Sequence, residues 1–216
     1  MSSTSGSPSR QAGQLPAFAY HMYKKYRNKY VDPFAFVHIN KTGGSSVERA
    51  LKLPFVHKTV RQYIDEYGPE RWARKHRFTV VRNPWDKMVS QYHYRIKTHQ
   101  GNISDDDIAF PEWIVEVLHK KNGRYINRPK LFKDQVSWLV DYDGQIDMDT
   151  ILRFETLDAD FQALCATLGV QADLPHLKPS NRDHYSGYYD ADARAIVAER
   201  FARDIEAFGY SFDSPS

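Results

Sequence analysis

The sequence predicts an α/β domain in which a small parallel sheet is wrapped by helices, and three strand–turn–helix units carry that expectation. In the first, Phe34-Ala35-Phe36-Val37-His38-Ile39 is a short run of apolar, aromatic and β-branched residues that reads as a buried strand. Asn40-Lys41-Thr42-Gly43-Gly44 follows as a tight, glycine-dependent turn, and Ser45-Ser46-Val47-Glu48 opens a helix with a Ser cap and a Glu close behind. In the second unit, Phe78-Thr79-Val80-Val81 is a strand ending at Arg82. Pro84 then starts a helix whose Trp85, Met88, Val89 and Tyr92 share one face. In the third, Thr150-Ile151-Leu152-Arg153-Phe154-Glu155 is a strand, and residues 157–168 form a helix closed by Gly169.

The remaining elements fall into place around these. Residues 1–15 are rich in Ser, Gly and Gln and read as a disordered tail, leaving residues 16–216 as a single domain. Residues 20–30 alternate tyrosines with basic residues, a mixture that could grip nucleic acid or an anionic membrane. The preferred reading is a short helix that packs its tyrosines on the core and leaves its lysines in solvent. Residues 59–67 and 69–75 read as helices, and Arg71, Arg74, Lys75 and Arg77 as a solvated basic face. Residues 101–107 form a polar loop, because Asp105, Asp106 and Asp107 lack the spacing of a calcium loop. Residues 110–121 read as an amphipathic helix, residues 127–135 as the lead into another, and residues 190–208 as one long helix with Ile196, Val197, Phe201, Ile205 and Phe208 as its apolar stripe.

Composition excludes several classes. The 216 residues carry a formal net charge of only +3, so no nucleic-acid partner is expected. No apolar run is long enough to cross a membrane and no signal peptide is legible, which suits a cytoplasmic enzyme. The single Cys165 rules out an internal disulfide and suits a reducing compartment.

A strand, a Gly-containing loop and a helix start together make an anion site, with backbone amides and the helix dipole facing the ligand. Lys41 adds a full charge; Thr42, Ser45 and Ser46 add hydroxyls around Gly43 and Gly44. Lys41 precedes the glycines, so the loop is neither the nucleoside-triphosphate loop nor the dinucleotide fingerprint. Arg82 at a strand end and Ser90 about two turns along the next helix could reach a further anion.

The two segments together resemble the carbohydrate-type sulfotransferases that use 3′-phosphoadenosine 5′-phosphosulfate, the group that includes heparan and chondroitin O-sulfotransferases and bacterial members. His38-Ile39-Asn40-Lys41-Thr42-Gly43-Gly44-Ser45-Ser46 is similar to that family's H-I-P-K-T-G/A-G-T-S motif, with Asn40 in place of Pro. Phe78 through Tyr92 is similar to F-x-x-V-R-N/H/D-P-x-x-R-x-x-S-x-Y, with Lys87 in place of Arg. The resemblance runs from about residue 34 to 212. It implies the sulfotransferase version of the P-loop architecture and in-line sulfuryl transfer to a hydroxyl, on a carbohydrate, without a metal. It further implies that residues 42–46 hold the 5′-phosphate, Lys41 neutralises the leaving oxygen, and Arg82 and Ser90 hold the 3′-phosphate. His57, in the segment after the first helix, is the expected base; His38 and Glu48 are its rivals for that role, with loop support preferred for His38 and capping for Glu48. Lys178, Ser180 and Arg182 are expected over the nucleoside, and Lys130, Lys133 and Gln135 near the acceptor. Glu155 is expected in a structural ion pair.

An anchored, Golgi-type relative trimmed to its catalytic domain would read similarly. Two other classes stay open on the residues alone: an ATP-dependent P-loop kinase, and a non-catalytic nucleotide- or glycan-binding module. The missing triphosphate-loop spacing disfavours the kinase, and a working base at His57 would exclude the module.

Overall fold

A computed structural model describes residues 16–101, 103, 108–175 and 183–213. Three strands, β1 (Phe34–Val37), β2 (His76–Val81) and β3 (Thr150–Arg153), form one parallel sheet in the order β1-β2-β3. Phe36 pairs with Phe78, and Phe78 with Thr150, so the carboxyl ends of all three strands lie on one edge. All four residues of β1 are buried, as a parallel sheet covered on both faces requires.

The period-two alternation of the strands sorts side chains to the two faces. Phe34, Phe36, Phe78, Val80 and Leu152 pack with Val47 of helix α2 (Gly44–Ala50) and with Phe161 and Leu164 of helix α8 (Leu157–Leu168). Ala35, Val37 and Val81 pack instead with Tyr63 of α3 (Val60–Tyr67), Trp72 of α4 (Pro69–Ala73) and Trp138 of α7 (Val136–Leu139). A third core gathers Met88, Val89 and Tyr92 of α5 (Pro84–Lys97), Trp113 of α6 (Phe110–Ile114) and Val197 of α9 (Ala191–Arg200). Local chemistry fixes the ends. Thr59 and Gln62 form a reciprocal capping box at α3. The Asn83 side chain accepts from the Trp85 amide at the start of α5, and Gly169 closes α8 at φ 65°.

Several expectations change. The first helix, α1 (Ala17–Tyr30), does not pack its tyrosines on the core: Tyr20, Tyr23, Tyr26 and Tyr30 are all exposed. Its polar residues turn inward instead. Lys24 donates to the Leu53 carbonyl, Arg27 to those of Leu51 and Lys52, and Lys29 to that of Glu66. Asn28 is buried and accepts from the Tyr67 hydroxyl at 2.6 Å. The expected solvated basic face is likewise partly spent, since Lys75 is buried on the Asp32 carbonyl and Arg77 pairs with Asp147 and Asp149. The helix expected over 110–121 widens into a π-helical turn, Val115–His119.

The single helix expected over 190–208 breaks at Phe201, which is buried, and continues as α10 (Ala202–Phe208). The break brings Asp204 inward, fully buried, where its carboxylate accepts from the Gln135 amide at 2.8 Å and the Val136 amide at 2.9 Å. Asp204→Ala would strand those amides without partners. We expect a loss of about 2–4 kcal/mol, read from urea unfolding, with Asp204→Asn retaining part of it.

Candidate functional site

The site is assembled at the carboxyl edge of the sheet, where an α/β fold places its ligands. The loop after β1 is held open by unusual backbone. Lys41 sits at φ 65°, a left-handed conformation that costs a non-glycine residue about 1 kcal/mol. Two bonds hold it there: the Arg82 guanidinium donates to the Lys41 carbonyl at 3.0 Å, and the Thr42 hydroxyl donates to the Ile39 carbonyl at 2.9 Å. Gly43 follows at φ 83°. A Cβ on Gly44 would fall 2.3 Å from the His38 ring, so that position admits no side chain. The Ser46 amide is taken by the Gly43 carbonyl at 3.0 Å. Asn40 donates to Gln91 at 3.0 Å and ties the loop to α5.

This loop walls a cavity of about 660 Å³. Lys41, Gly43, Gly44, Ser45 and Ser46 line it from one side, and Arg82, Ser90 and His57 from the others. The two sequence segments therefore converge on one space. Thr42 does not line it; the residue is fully buried and its hydroxyl braces the loop. Arg82 is buried at the wall, paired with Asp86 at 2.6 Å and stacked 3.7 Å over the Phe154 ring. The Lys41 ammonium lies 4.1 Å over the Tyr94 ring. Tyr94, Arg128, Gln100 and Phe154 also line the cavity and were not anticipated. Tyr94 was recoverable, because it stands four residues after Ser90 and so on the same helical face. Arg128 and Gln100 lie in irregular segments that carry no periodic signal.

His57 stands half-buried beside the loop, its ring 4.2 Å from that of His38. Its Nδ1 is 3.0 Å from the His38 carbonyl. A carbonyl only accepts, so Nδ1 carries the proton and Nε2 keeps a lone pair. Burial, then the neighbouring His38, lower its pKa, which leaves the ring neutral and able to take a proton at pH 7. Lys130 donates to the His57 carbonyl at 2.8 Å and to Gln62 at 2.9 Å. It therefore braces the histidine segment. Of the other expected acceptor contacts, Lys133 is exposed but off the cavity wall. Gln135 is fully buried: its side chain accepts from the Arg82 amide and donates to the Arg82 carbonyl, so it supports Arg82 and touches no acceptor. Lys178, Ser180 and Arg182 lie outside the described residues.

Glu155 makes a backbone brace where an ion pair was expected, accepting from the Asn83 amide at 2.7 Å and the Tyr210 hydroxyl at 3.1 Å. Lys87 is buried away from the cavity, over the Phe201 ring, and burial lowers its pKa to about 8. Beneath the loop, His38 Nδ1 lies 2.9 Å from a Glu48 carboxyl oxygen but out of hydrogen-bonding alignment. Burial pushes Glu48 up to about 8 and His38 down to about 4, so both are neutral at pH 7.

Residues 24–211 match the sequence profile of the sulfotransferase family. No curated protein and no solved structure matches the chain.

The neutral pair under the loop has a signature in stability. Glu48 binds its proton more tightly folded than unfolded, so its contribution falls as pH rises from 4.5 to about 8. His38 does the reverse between about 4 and 6.5, offsetting that fall until pH 6.5. Above 6.5 only Glu48 remains. Urea unfolding should show wild type losing about 2 kcal/mol relative to Glu48→Gln between pH 6.5 and 8. Parallel curves would show that Glu48 ionises in place.

Proposed function

The chain belongs to the sulfotransferase family, and from that premise we propose that it moves a sulfuryl group from 3′-phosphoadenosine 5′-phosphosulfate to a hydroxyl on a carbohydrate. The observation that carries the reading is the convergence of Lys41, Ser45, Ser46, Arg82, Ser90 and His57 on one cavity of nucleotide size.

The residues present fit the donor. Gly43 and Gly44 line the cavity with backbone alone, and the places their Cβ atoms would take are filled by Leu157, Phe154 and His38. Ser45 and Ser46 offer hydroxyls to the 5′-phosphate, and Arg82 with Ser90 offers a cation and a hydroxyl to the 3′-phosphate. Leu157, Leu174 and Pro175 add an apolar wall suited to the adenine ring. The acceptor oxygen attacks sulfur as its proton passes to Nε2 of His57. The bond from sulfur to the 5′-phosphate oxygen breaks. Lys41 neutralises the charge that grows on that oxygen, a role realised most in the transition state. The products are a sulfate ester and adenosine 3′,5′-bisphosphate, with the proton left on His57.

The test is transfer of labelled sulfate to a carbohydrate panel in the presence of a chelator. We expect turnover in wild type and a fall of roughly a hundredfold to ten-thousandfold in His57→Ala. The acid limb of the wild-type kcat/KM profile should titrate below the ordinary imidazole value, since His57 must be deprotonated and its pKa is lowered. Lys41→Ala should lose roughly a hundredfold or more in kcat, with KM changing far less. Undiminished transfer by His57→Ala would remove the base from this scheme. Transfer of phosphate from ATP would replace the scheme with a kinase.

A further inference from the structure

Helix α1 shows its aromatic side to water. Phe18, Met22, Tyr23, Tyr26 and Tyr30 fall on one face and are 76%, 47%, 51%, 60% and 52% exposed. The polar residues that a surface helix normally shows to solvent, Lys24, Arg27 and Asn28, are on the inner side, bonded to the domain. A contiguous apolar face of this kind marks an interaction surface. Cations edge it. Lys25 flanks the stripe, and the Arg71 guanidinium lies 5.0 Å over the Tyr30 ring. Lys58 is near enough that Lys25 and Lys29 add to burial in lowering its pKa.

We propose that α1 is a docking helix for the surface of an anionic lipid bilayer. The aromatic face enters the headgroup layer, and Lys25 and Arg71 at its edges meet lipid phosphates. Three observations select a bilayer over a protein partner. The face belongs to a single helix, and all five of its apolar side chains are exposed. Three of its five apolar side chains are tyrosines, whose hydroxyl tips suit the boundary between hydrocarbon and water. Its edges are positive, matching anionic headgroups.

The docking helix adjoins the reaction site. Tyr20, His21 and Lys24, on the other side of α1, line a groove of about 440 Å³ with Glu48, Arg49 and Phe55. That groove shares Ser45 and Phe55 with the main cavity. Docking would hold the groove about one helix diameter, about 10 Å, from the lipid. An acceptor hydroxyl carried on a membrane-anchored molecule would then meet the cavity through it. This consequence rests on the sulfuryl-transfer reading, whereas the docking does not.

The test is co-sedimentation of the full chain with phosphatidylcholine vesicles, with and without phosphatidylglycerol. We expect binding to the anionic vesicles, weakened by salt, and about fivefold or more weaker for Lys25→Glu. A similar loss is expected for Phe18→Ser with Tyr26→Ser. Phe18 and Tyr26 are exposed and Lys25 is half-buried at the helix surface, so circular dichroism and melting of both variants should match wild type. Equal behaviour toward neutral and anionic vesicles, or variants that bind like wild type, would overturn the proposal. A dimer in ultracentrifugation that the aromatic variant abolishes would overturn it too, assigning the face to a second copy. None of these readouts uses catalysis, so a failed docking test leaves the sulfuryl-transfer reading standing, and the reverse.

Discussion

Arg82 ties the two strand–turn–helix units into one site. Its main chain exchanges two hydrogen bonds with the buried Gln135 side chain. Its guanidinium pairs with Asp86 at the start of α5, holds the Lys41 carbonyl across the loop, and stacks on Phe154 just beyond β3. One side chain thus fixes the strained turn, the first turn of α5 and the end of the third strand. A buried pair of this kind is costly to break from one side, about 3–5 kcal/mol, because the remaining charge has no water to return to. The cation that would meet a phosphate is therefore also the one that shapes the cavity, and its position is set before any ligand arrives.

His57 is positioned by a similar economy of parts. His38 fills the space that Gly44 leaves vacant, gives its carbonyl to His57 and packs its ring against the same residue. Glu48 and His38 remain neutral beneath the loop, which keeps buried charge away from the cavity. Lys130 fixes the segment from the far side. The geometry selects the His57 tautomer with a lone pair on Nε2, the form a proton acceptor needs.

Much of this was legible from local patterns. The strands of the sheet, the helix closed by Gly169 and the loop with Gly43 and Gly44 follow from short apolar runs and turn chemistry, which act over a few residues; the Ser cap expected at α2 is absent, because Gly43 holds the cap position without a side-chain bond. What was misread depends on contacts distant in sequence. The local pattern offers Gln135 as a ligand contact, because nothing local reveals that Arg82 and Asp204 surround it. The tyrosines of α1 were read as core because burial is their usual fate, but the lysine and arginine stems found carbonyls at Leu51, Leu53 and Glu66 first. The break at Phe201 lies inside an unbroken helical pattern and serves the packing of a fully buried Asp204.

The central claim is that the cavity recognises a nucleotide with a phosphate on its 3′ position. Calorimetry of adenosine 3′,5′-bisphosphate binding in the absence of magnesium, with AMP and magnesium ATP beside it, addresses that claim most directly. The account predicts binding of the bisphosphate at least about tenfold tighter than AMP, a difference of about 1.4 kcal/mol for the added phosphate. Equal affinity for AMP, or a preference for magnesium ATP, would contradict it and move Arg82 and Ser90 out of the recognition site.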